Sequence, residues 1–143
     1  MTAAEQFASS AVSRLEILYE HECLQLLGRE PIGRIALTSG ALPVILPVNF
    51  VTIERTIVFA SDPGLKLDAA RAGQVACLGV DAYEVLDHSG WSVLATGRLA
   101  EITDPDRLAA ARQLPLSPWA VSDPQHYVEL SIELLSGRRI RRP

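Results

Sequence analysis

Two runs of apolar residues, separated by a short polar break, dominate the middle of the chain. The first run, residues 42–51, is apolar at its even and at its odd positions, a pattern typical of a strand covered on both faces. One cover is expected to be the protein's own core, and the other a partner chain, a helix or a flat ligand. Two members of the run are unusual, because Asn49 is polar and Pro47 cannot donate a hydrogen bond to a sheet. The second run, residues 56–60, is β-branched and aromatic and predicts another strand.

Further strands are predicted wherever polar and apolar residues alternate or β-forming residues cluster. These segments are residues 15–17, 32–38, 75–80, 91–103, 127–132 and 136–140. Gly97 stands inside the longest of them and indicates a bend or a bulge. Ser39-Gly40 and Glu54-Arg55 each predict a tight turn between two strands.

Apolar residues at helical spacing predict three short helices. They are expected at residues 20–28, 65–72 and 104–115, the last with Asp104 as its N-cap and a proline in its first turn. Residues 115–124 hold three prolines and a tryptophan, Trp119, and predict an irregular connector. Because strands follow strands without regular alternation with helices, the pattern favours an antiparallel barrel with peripheral helices.

The chain of 143 residues is long enough for one substantial core. Residues 1–14 are expected to be a flexible N-terminal segment and residues 15–143 a single domain. The net charge of −4 argues against nucleic acid or an anionic membrane as the main partner. The sequence shows neither a signal peptide nor an apolar run of ~18 residues, so a cytoplasmic protein is expected. Cys23 and Cys77 lack the spacing of metal ligands and are interpreted as free buried thiols.

Lys66 is the most distinctive candidate for chemistry, because it is the only lysine and the other twelve basic residues are arginines. It follows Asp62-Pro63-Gly64 and opens a predicted helix, where free N–H groups and a positive dipole end favour an anion such as phosphate. The alternative is an ordinary solvent-exposed lysine, since the loop is neither a GxGxxG motif nor a P-loop.

Two other positions allow either a structural or a binding role. The amide of Asn49 needs hydrogen-bond partners within its apolar run, and these are either neighbouring backbone or the edge of a heterocyclic ligand. Trp91, followed by Ser92, is either a core aromatic or a flat stacking surface at a ligand mouth or a subunit interface.

The remaining polar residues supply no further signature. No two of the three histidines, His21, His88 and His126, lie at helical spacing, so no metal site is predicted. No serine or cysteine has a local activating base, and no catalytic residue is assigned. Residues 137–143 carry four arginines and are interpreted as a solvated tail, with a contact to a phosphate or an acidic ligand as the alternative.

With these segments in view, the chain resembles the pyridoxamine 5′-phosphate oxidase-like, FMN-binding split-barrel proteins. The nearest branch is the small flavin and deazaflavin proteins, which are also similar to the nitroimidazole-resistance reductases. The resemblance lies in the order and spacing of short segments, namely residues 31–36, 46–51, 58–61 with 63–67, and 90–98.

The resemblance implies a six-stranded antiparallel split β-barrel, mainly β with peripheral helices. It also implies a homodimer with a flavin in each of two clefts at the subunit interface. The residues that carry over fall into four groups. They are Pro47, Val48, Asn49 and Phe50 for the isoalloxazine ring, Phe59, Ala60 and Ser61 for the ribityl chain, Lys66 and Leu67 for the phosphate, and Trp91 and Ser92 approaching from a neighbouring strand or the partner chain.

The implied function is a flavin-dependent oxidoreductase, in which FMN passes hydride to or from a small organic or quinone-like substrate. True pyridoxamine phosphate oxidases have an arginine beside the phosphate lysine, whereas Leu65 precedes Lys66 here, so oxidation of vitamin B6 is not expected. An F420-dependent reductase on the same barrel is one alternative, with Arg71, Arg138 and Arg139 as candidates for the longer anionic tail. A non-enzymatic protein that binds flavin or haem is the other.

Overall fold

The computed structural model describes residues 14–116 and 126–141. These residues form eight β-strands and three α-helices, which confirms a mainly β protein with peripheral helices. The strands are β1 (Arg14–Ile17), β2 (Ile32–Ser39), β3 (Leu42–Asn49), β4 (Val51–Ile53), β5 (Thr56–Ser61), β6 (Val75–Tyr83), β7 (Gly90–Glu101) and β8 (His126–Arg141), and the helices are α1 (Glu20–Leu27), α2 (Leu65–Arg71) and α3 (Pro105–Arg112). The strand count exceeds the six expected because two short strands, β1 and β4, pair at the margins of the sheet.

All eight strands form one antiparallel sheet that curls into a split barrel. Its order is β3-β2-β6-β7-β8-β5-β4, and β1 pairs with the C-terminal part of β8. β3 and β4 follow each other in the chain yet lie at opposite ends of this order, so the sheet must curl until its ends meet at Phe50. Phe50 is buried there, and its N–H donates to the carbonyl of Pro31 at 3.1 Å.

β3 is an edge strand, which explains the prolines that it carries. The β2–β3 hairpin turns at Gly40, whose φ of +61° suits a two-residue loop. Ser39 and Leu42 flank the loop, and hydrogen-bonded pairs alternate along the ladder from there. Pro43 and Pro47 therefore fall at positions whose nitrogen points away from β2, and neither costs a hydrogen bond of the sheet.

A β-bulge in β8 corrects the prediction for the last strands. The pairing of β7 with β8 shifts between Thr96 and Gly97, which leaves Glu133 as an extra residue of β8. The irregularity predicted at Gly97 is thereby confirmed. The bulge moves the buried side of β8 from even to odd positions, so the segments predicted separately at 127–132 and 136–140 belong to one strand.

The arginine-rich C-terminus is not a solvated tail as far as Arg141, and that interpretation is wrong for these residues. Residues 138–141 form the end of β8, between β1 on one side and β7 on the other. Two neighbouring strands satisfy their backbone groups, and Glu16 of β1 forms an ion pair with Arg141 at 3.1 Å.

Two helices close opposite ends of the barrel. α1 buries Cys23 and Leu27 in the main core, and Leu18, two residues before this helix, donates its N–H to the carbonyl of Gly137. α2 buries Leu67 in the same core at the other end of β7. α3 packs outside the barrel over a smaller apolar cluster on β5.

The start of α3 agrees with the sequence prediction. Asp104 Oδ2 accepts a hydrogen bond from the backbone N–H of Arg107 at 2.9 Å, which confirms the N-cap. Residues 1–13, residues 117–125 with Trp119, and the last two residues lie outside the described residues, so the predictions for them stay predictions. Among the helices of the described ranges, none has the length and apolar character needed to cross a membrane.

Candidate functional site

Lys66 lies at the margin of the barrel core, in the first turn of α2. The next residue, Leu67, is buried in the core and holds Lys66 in a half-buried position. Burial lowers the pKa of the Lys66 ammonium, and the charge of Asp62 partly offsets this effect. Within the described residues the ammonium has no hydrogen bond and no ion pair. Among these residues Lys66 is therefore a partly desolvated cation with only the unpaired charge of Asp62 nearby, and a bound anion would pair with it directly.

Ser61, the last residue of β5, shapes the bend that leads into α2. Its side chain is buried, and its hydroxyl donates to the backbone carbonyl of Asp62 at 2.8 Å. Phe59 is also buried in the core, whereas Ala60 between them faces outward and is half-buried. Of the three residues expected along a ribityl chain, Ala60 alone presents side-chain surface outside the core.

An ionic network fastens the C-terminal end of α2 to the sheet. Arg71 Nε donates to Glu101 Oε1 at 2.8 Å, and His126 Nδ1 lies 3.1 Å from Glu101 Oε2. The bond from Arg71 is the main reason that the pKa of Glu101 is lowered, and the same bond raises the pKa of Arg71. Sequence reasoning missed this network, because Glu101 and His126 meet only through the pairing of β7 with β8.

The residues predicted to line a flavin ring lie in β3 and just after it, and their side chains point to opposite faces of the sheet. Val48 and Phe50 are 3% and 4% exposed and face the core. Pro47 and Asn49 lie on the outer face, where Pro47 is exposed and Asn49 is half-buried. A ligand outside the barrel can therefore meet the side chains of Pro47 and Asn49, but only the backbone of Val48 and Phe50.

Trp91 and Ser92 lie at the start of β7, on opposite faces of the strand. Trp91 packs against the core, whereas Ser92 faces outward and is exposed. α2 meets β7 at the other end, where the N–H of Leu99 donates to the carbonyl of Gln74 at 2.8 Å. About 25 Å of strand separates Leu99 from Trp91 at the usual rise per residue. The fold therefore does not bring Trp91 to Lys66 within one chain.

The outer face of the sheet carries mostly apolar residues in register across five strands. One row crosses β3, β2, β6, β7 and β8 through Ile45, Ala36, Cys77, Thr96 and Leu134. Its two ends are open, since Ile45 is 66% and Leu134 is 69% exposed. This is the second face of β3 that the sequence predicts to be covered, and the described residues of a single chain leave it largely uncovered.

Comparison with known proteins agrees with this architecture. The uncharacterized protein Rv0080 of Mycobacterium tuberculosis is 31% identical over 124 residues, which cover 83% of this chain and 81% of that protein. The FAD binding protein from Mycobacterium smegmatis is 33% identical and has a TM-score of 0.74, with 87% of this chain and 98% of that chain covered. A candidate 5-nitroimidazole antibiotic resistance protein from Bacteroides thetaiotaomicron shares the fold at 15% identity, with a TM-score of 0.73 and coverage of 91% and 90%. Because the family model of pyridoxamine 5′-phosphate oxidase matches residues 19–139, the chain belongs to the pyridoxamine 5′-phosphate oxidase family.

Proposed function

We propose that this chain binds a flavin nucleotide and that Lys66 holds its phosphate. The observation that carries the proposal is the half-buried ammonium of Lys66, which has no hydrogen bond and no ion pair among the described residues, although Asp62 contributes a negative charge nearby. A phosphate would supply a direct partner, and charge-assisted hydrogen bonds are stronger than those between neutral groups. The bend between β5 and α2 thus fits the phosphate of a flavin nucleotide.

FMN and FAD share the part of the molecule that this bend would hold. Both carry a phosphate at the end of the ribityl chain, so Lys66 would contact that phosphate in either cofactor. The similar protein from Mycobacterium smegmatis is an FAD binding protein, which supports a flavin and extends the expectation of FMN to FAD.

A homodimer would cover the exposed outer face of the sheet and complete the cofactor cleft. Removing Ile45 and Leu134 from water stabilises such a contact through the hydrophobic effect. Pro47 and Asn49 lie on the same face, so a flavin ring at the edge of the interface would meet both. The amide of Asn49 would then bond the edge of the ring.

Light scattering tests the dimer with a matched pair of variants. The purified chain is expected to have a dimer mass at micromolar concentration, and Leu134→Glu should shift it towards the monomer. Leu86→Glu is the control, because Leu86 is 95% exposed but lies in the loop before β7 rather than on the outer face. A monomeric wild type, or a Leu134→Glu variant as dimeric as the control, would overturn this interface.

The proposed activity is the oxidation or reduction of a small organic substrate beside the flavin. A bound flavin would supply the hydride and electron transfer, and the protein would supply placement and electrostatics. Lys66 would fix the phosphate end and Asn49 the ring edge, while the second copy would exclude water from one side of the ring. No side chain has to act as a nucleophile in this scheme.

The arginines of the structure fit the anionic tail of F420 less well than Lys66 fits a flavin phosphate. Arg71, one of the three arginines expected along its anionic tail, is already paired with Glu101 at 2.8 Å. The other two, Arg138 and Arg139, lie at the β1 end of the barrel, away from α2. No contact among the described residues favours haem.

Calorimetric titration with FMN tests the role of Lys66. Lys66→Met removes the ammonium but keeps the stem, and it should weaken binding by ~1.5–3 kcal/mol, roughly ten- to a hundredfold. Lys66→Arg should retain most of the affinity. Arg112→Met removes an exposed cation of α3 and should bind FMN like the wild type.

The single lysine allows a second test without mutation. An amine-acylating reagent can modify only Lys66 and the α-amino group, because the chain has no other lysine. FMN should protect Lys66, as read by mass spectrometry, while the α-amino group reacts equally with and without FMN. Unprotected Lys66, together with unchanged FMN affinity in Lys66→Met, would remove this residue from the site.

A further inference from the structure

A second cation without a hydrogen-bond partner lies at the opposite end of the barrel from α2. The side chain of Arg139, near the end of β8, is only 24% exposed. Its ion-pair partner, Glu22 of α1, is 3.7 Å away, which is beyond hydrogen-bond distance. Within the described residues the guanidinium makes no hydrogen bond, although it carries five N–H donors. The donors of Arg139 reach the surface, so they are available to a ligand that displaces the water there.

Arg139 opens onto a groove of about 380 Å³, a volume in the range of small-molecule sites. Ala82, Trp91 and Arg139 lie side by side across β6, β7 and β8 and form its inner row. The bulge at Glu133 is responsible for this placement, because it turns the odd positions of the last part of β8 towards the inside of the barrel. Without the bulge, the neighbouring arginine would face the groove instead.

The lining of the groove combines a flat aromatic surface with positive charge. Trp91 is half-buried in the groove, and Tyr83 stands beside it with 73% of its surface exposed. Arg141 also lines the groove, but Glu16 already pairs with it at 3.1 Å. Glu84 on the rim is the acidic member of the lining. The free donors of Arg139 therefore remain as the contact for an anion.

We propose that this groove binds a planar aromatic group that carries a phosphate or a carboxylate, with its ring against Trp91 and its anion on Arg139. Aromatic stacking and a planar guanidinium fork both suit such a ligand. An adenosine monophosphate unit has this chemistry. It would arrive either as the distal half of an FAD whose flavin phosphate is held by a second copy of the chain, or as a separate aromatic acid or nucleotide. Only the first source rests on the proposed function.

Tryptophan fluorescence of the full chain can follow occupancy of the groove. The chain has two tryptophans, so Trp119→Phe leaves Trp91 as the only tryptophan reporter. Titration with AMP is expected to change the emission of Trp91 saturably, and adenosine should bind at least tenfold more weakly because it lacks the anion. An unchanged emission with AMP, or equal affinities for AMP and adenosine, would overturn the proposal.

A matched pair of variants separates ligand binding from the ion pair with α1. Arg139→Met should lower the affinity for AMP at least tenfold. Glu22→Gln breaks the same ion pair but should leave the affinity for AMP unchanged or higher. Arg139→Lys keeps a cation with fewer donors and should fall between wild type and Arg139→Met. Equal weakening in Arg139→Met and Glu22→Gln would overturn the anion contact. If Arg139→Met fails to fold, the Lys and Gln variants decide, and Arg139→Lys binding no more weakly than Glu22→Gln would overturn it.

Trp91→Ala distinguishes the two sources, with calorimetry as the readout. A larger loss of affinity for FAD than for FMN supports the distal half of FAD, and a loss of AMP affinity with equal effects on FAD and FMN supports a separate ligand. Unchanged AMP affinity in Trp91→Ala would overturn the groove. If the wild type binds AMP but no flavin, the proposed function is contradicted and the groove proposal is not. If it binds flavin but not AMP, the groove proposal is contradicted and the proposed function is not.

Discussion

A partly buried cation without a hydrogen-bond partner among the described residues lies at each end of the barrel, but the two have contrasting surroundings. Lys66, near α2, is a compact point charge, and the neighbouring Arg71 is neutralised by Glu101. Arg139, near α1, carries a planar fork beside the indole of Trp91. The first arrangement suits a phosphate alone, and the second suits an anion attached to a flat ring. If both proposals hold, one sheet would offer two anion sites of different selectivity.

The two ends also differ in how the chain builds them. Lys66 is positioned locally, because the bend after Ser61 and the burial of Leu67 fix the first turn of α2. Arg139 is positioned by long-range pairing, since it reaches the groove only after the bulge has changed the inward side of β8. A perturbation of the bulge is therefore expected to reach the groove directly.

The largest effect on stability is expected from Gly97→Ala, because this substitution disrupts the backbone packing at the bulge. A Cβ on Gly97 would lie 1.7 Å from the carbonyl oxygen of Ser131, and backbone at that distance must shift. We expect a loss of about 3 kcal/mol or more in the free energy of unfolding, measured by chemical denaturation. As denaturant is added to this variant below its unfolding midpoint, AMP binding should be lost at a lower concentration than FMN binding.

Gly40→Ala is the control for this substitution. Gly40 has a φ of +61° but open space around the position of a Cβ, so only the backbone conformation costs energy, about 1–2 kcal/mol. A Gly97→Ala variant as stable as Gly40→Ala would contradict the close approach at the bulge.

A smaller effect of opposite sign is expected from Lys66→Met in the ligand-free protein. Because the pKa of Lys66 is lowered on folding, its charged form disfavours the folded state at neutral pH. The variant should therefore have a higher Tm than the wild type, and the difference should shrink as pH rises through the lowered pKa towards ~10.4. Differential scanning calorimetry between pH 7 and pH 10 measures it, and a Tm below that of the wild type at pH 7 would contradict the burial of the charge.

The sheet could be predicted largely from local patterns. The alternation over residues 32–38 predicts β2, and the turn predicted at Glu54-Arg55 is present, with Glu54 at a φ of +54°. The division of β8 into two strands was wrong because Glu133 reverses the inward parity in the middle of the strand. Alternation cannot show that two segments of opposite parity belong to one strand.

The candidate site was predictable to the same local extent. Lys66 could be singled out because it is the only lysine and because Pro63-Gly64 breaks the chain between a strand and this residue. The contact of Glu101 with His126, and the meeting of Trp91 with Arg139, join residues far apart in the sequence. Both depend on the register of β7 with β8, which no short segment encodes.

The prolines of β3 bear on how far copies of this chain can associate. Pro43 and Pro47 remove N–H groups from the free edge of the sheet, so another strand finds a poor template there. The exposed row that includes Ile45 lies on the face of the sheet instead, where a two-fold contact is satisfied by one further copy. Growth by edge addition is open-ended and produces fibres, whereas growth by face contact ends at a closed pair. The prolines of β3 thus disfavour open-ended growth at this edge and leave the face of the sheet as the surface for a closed pair.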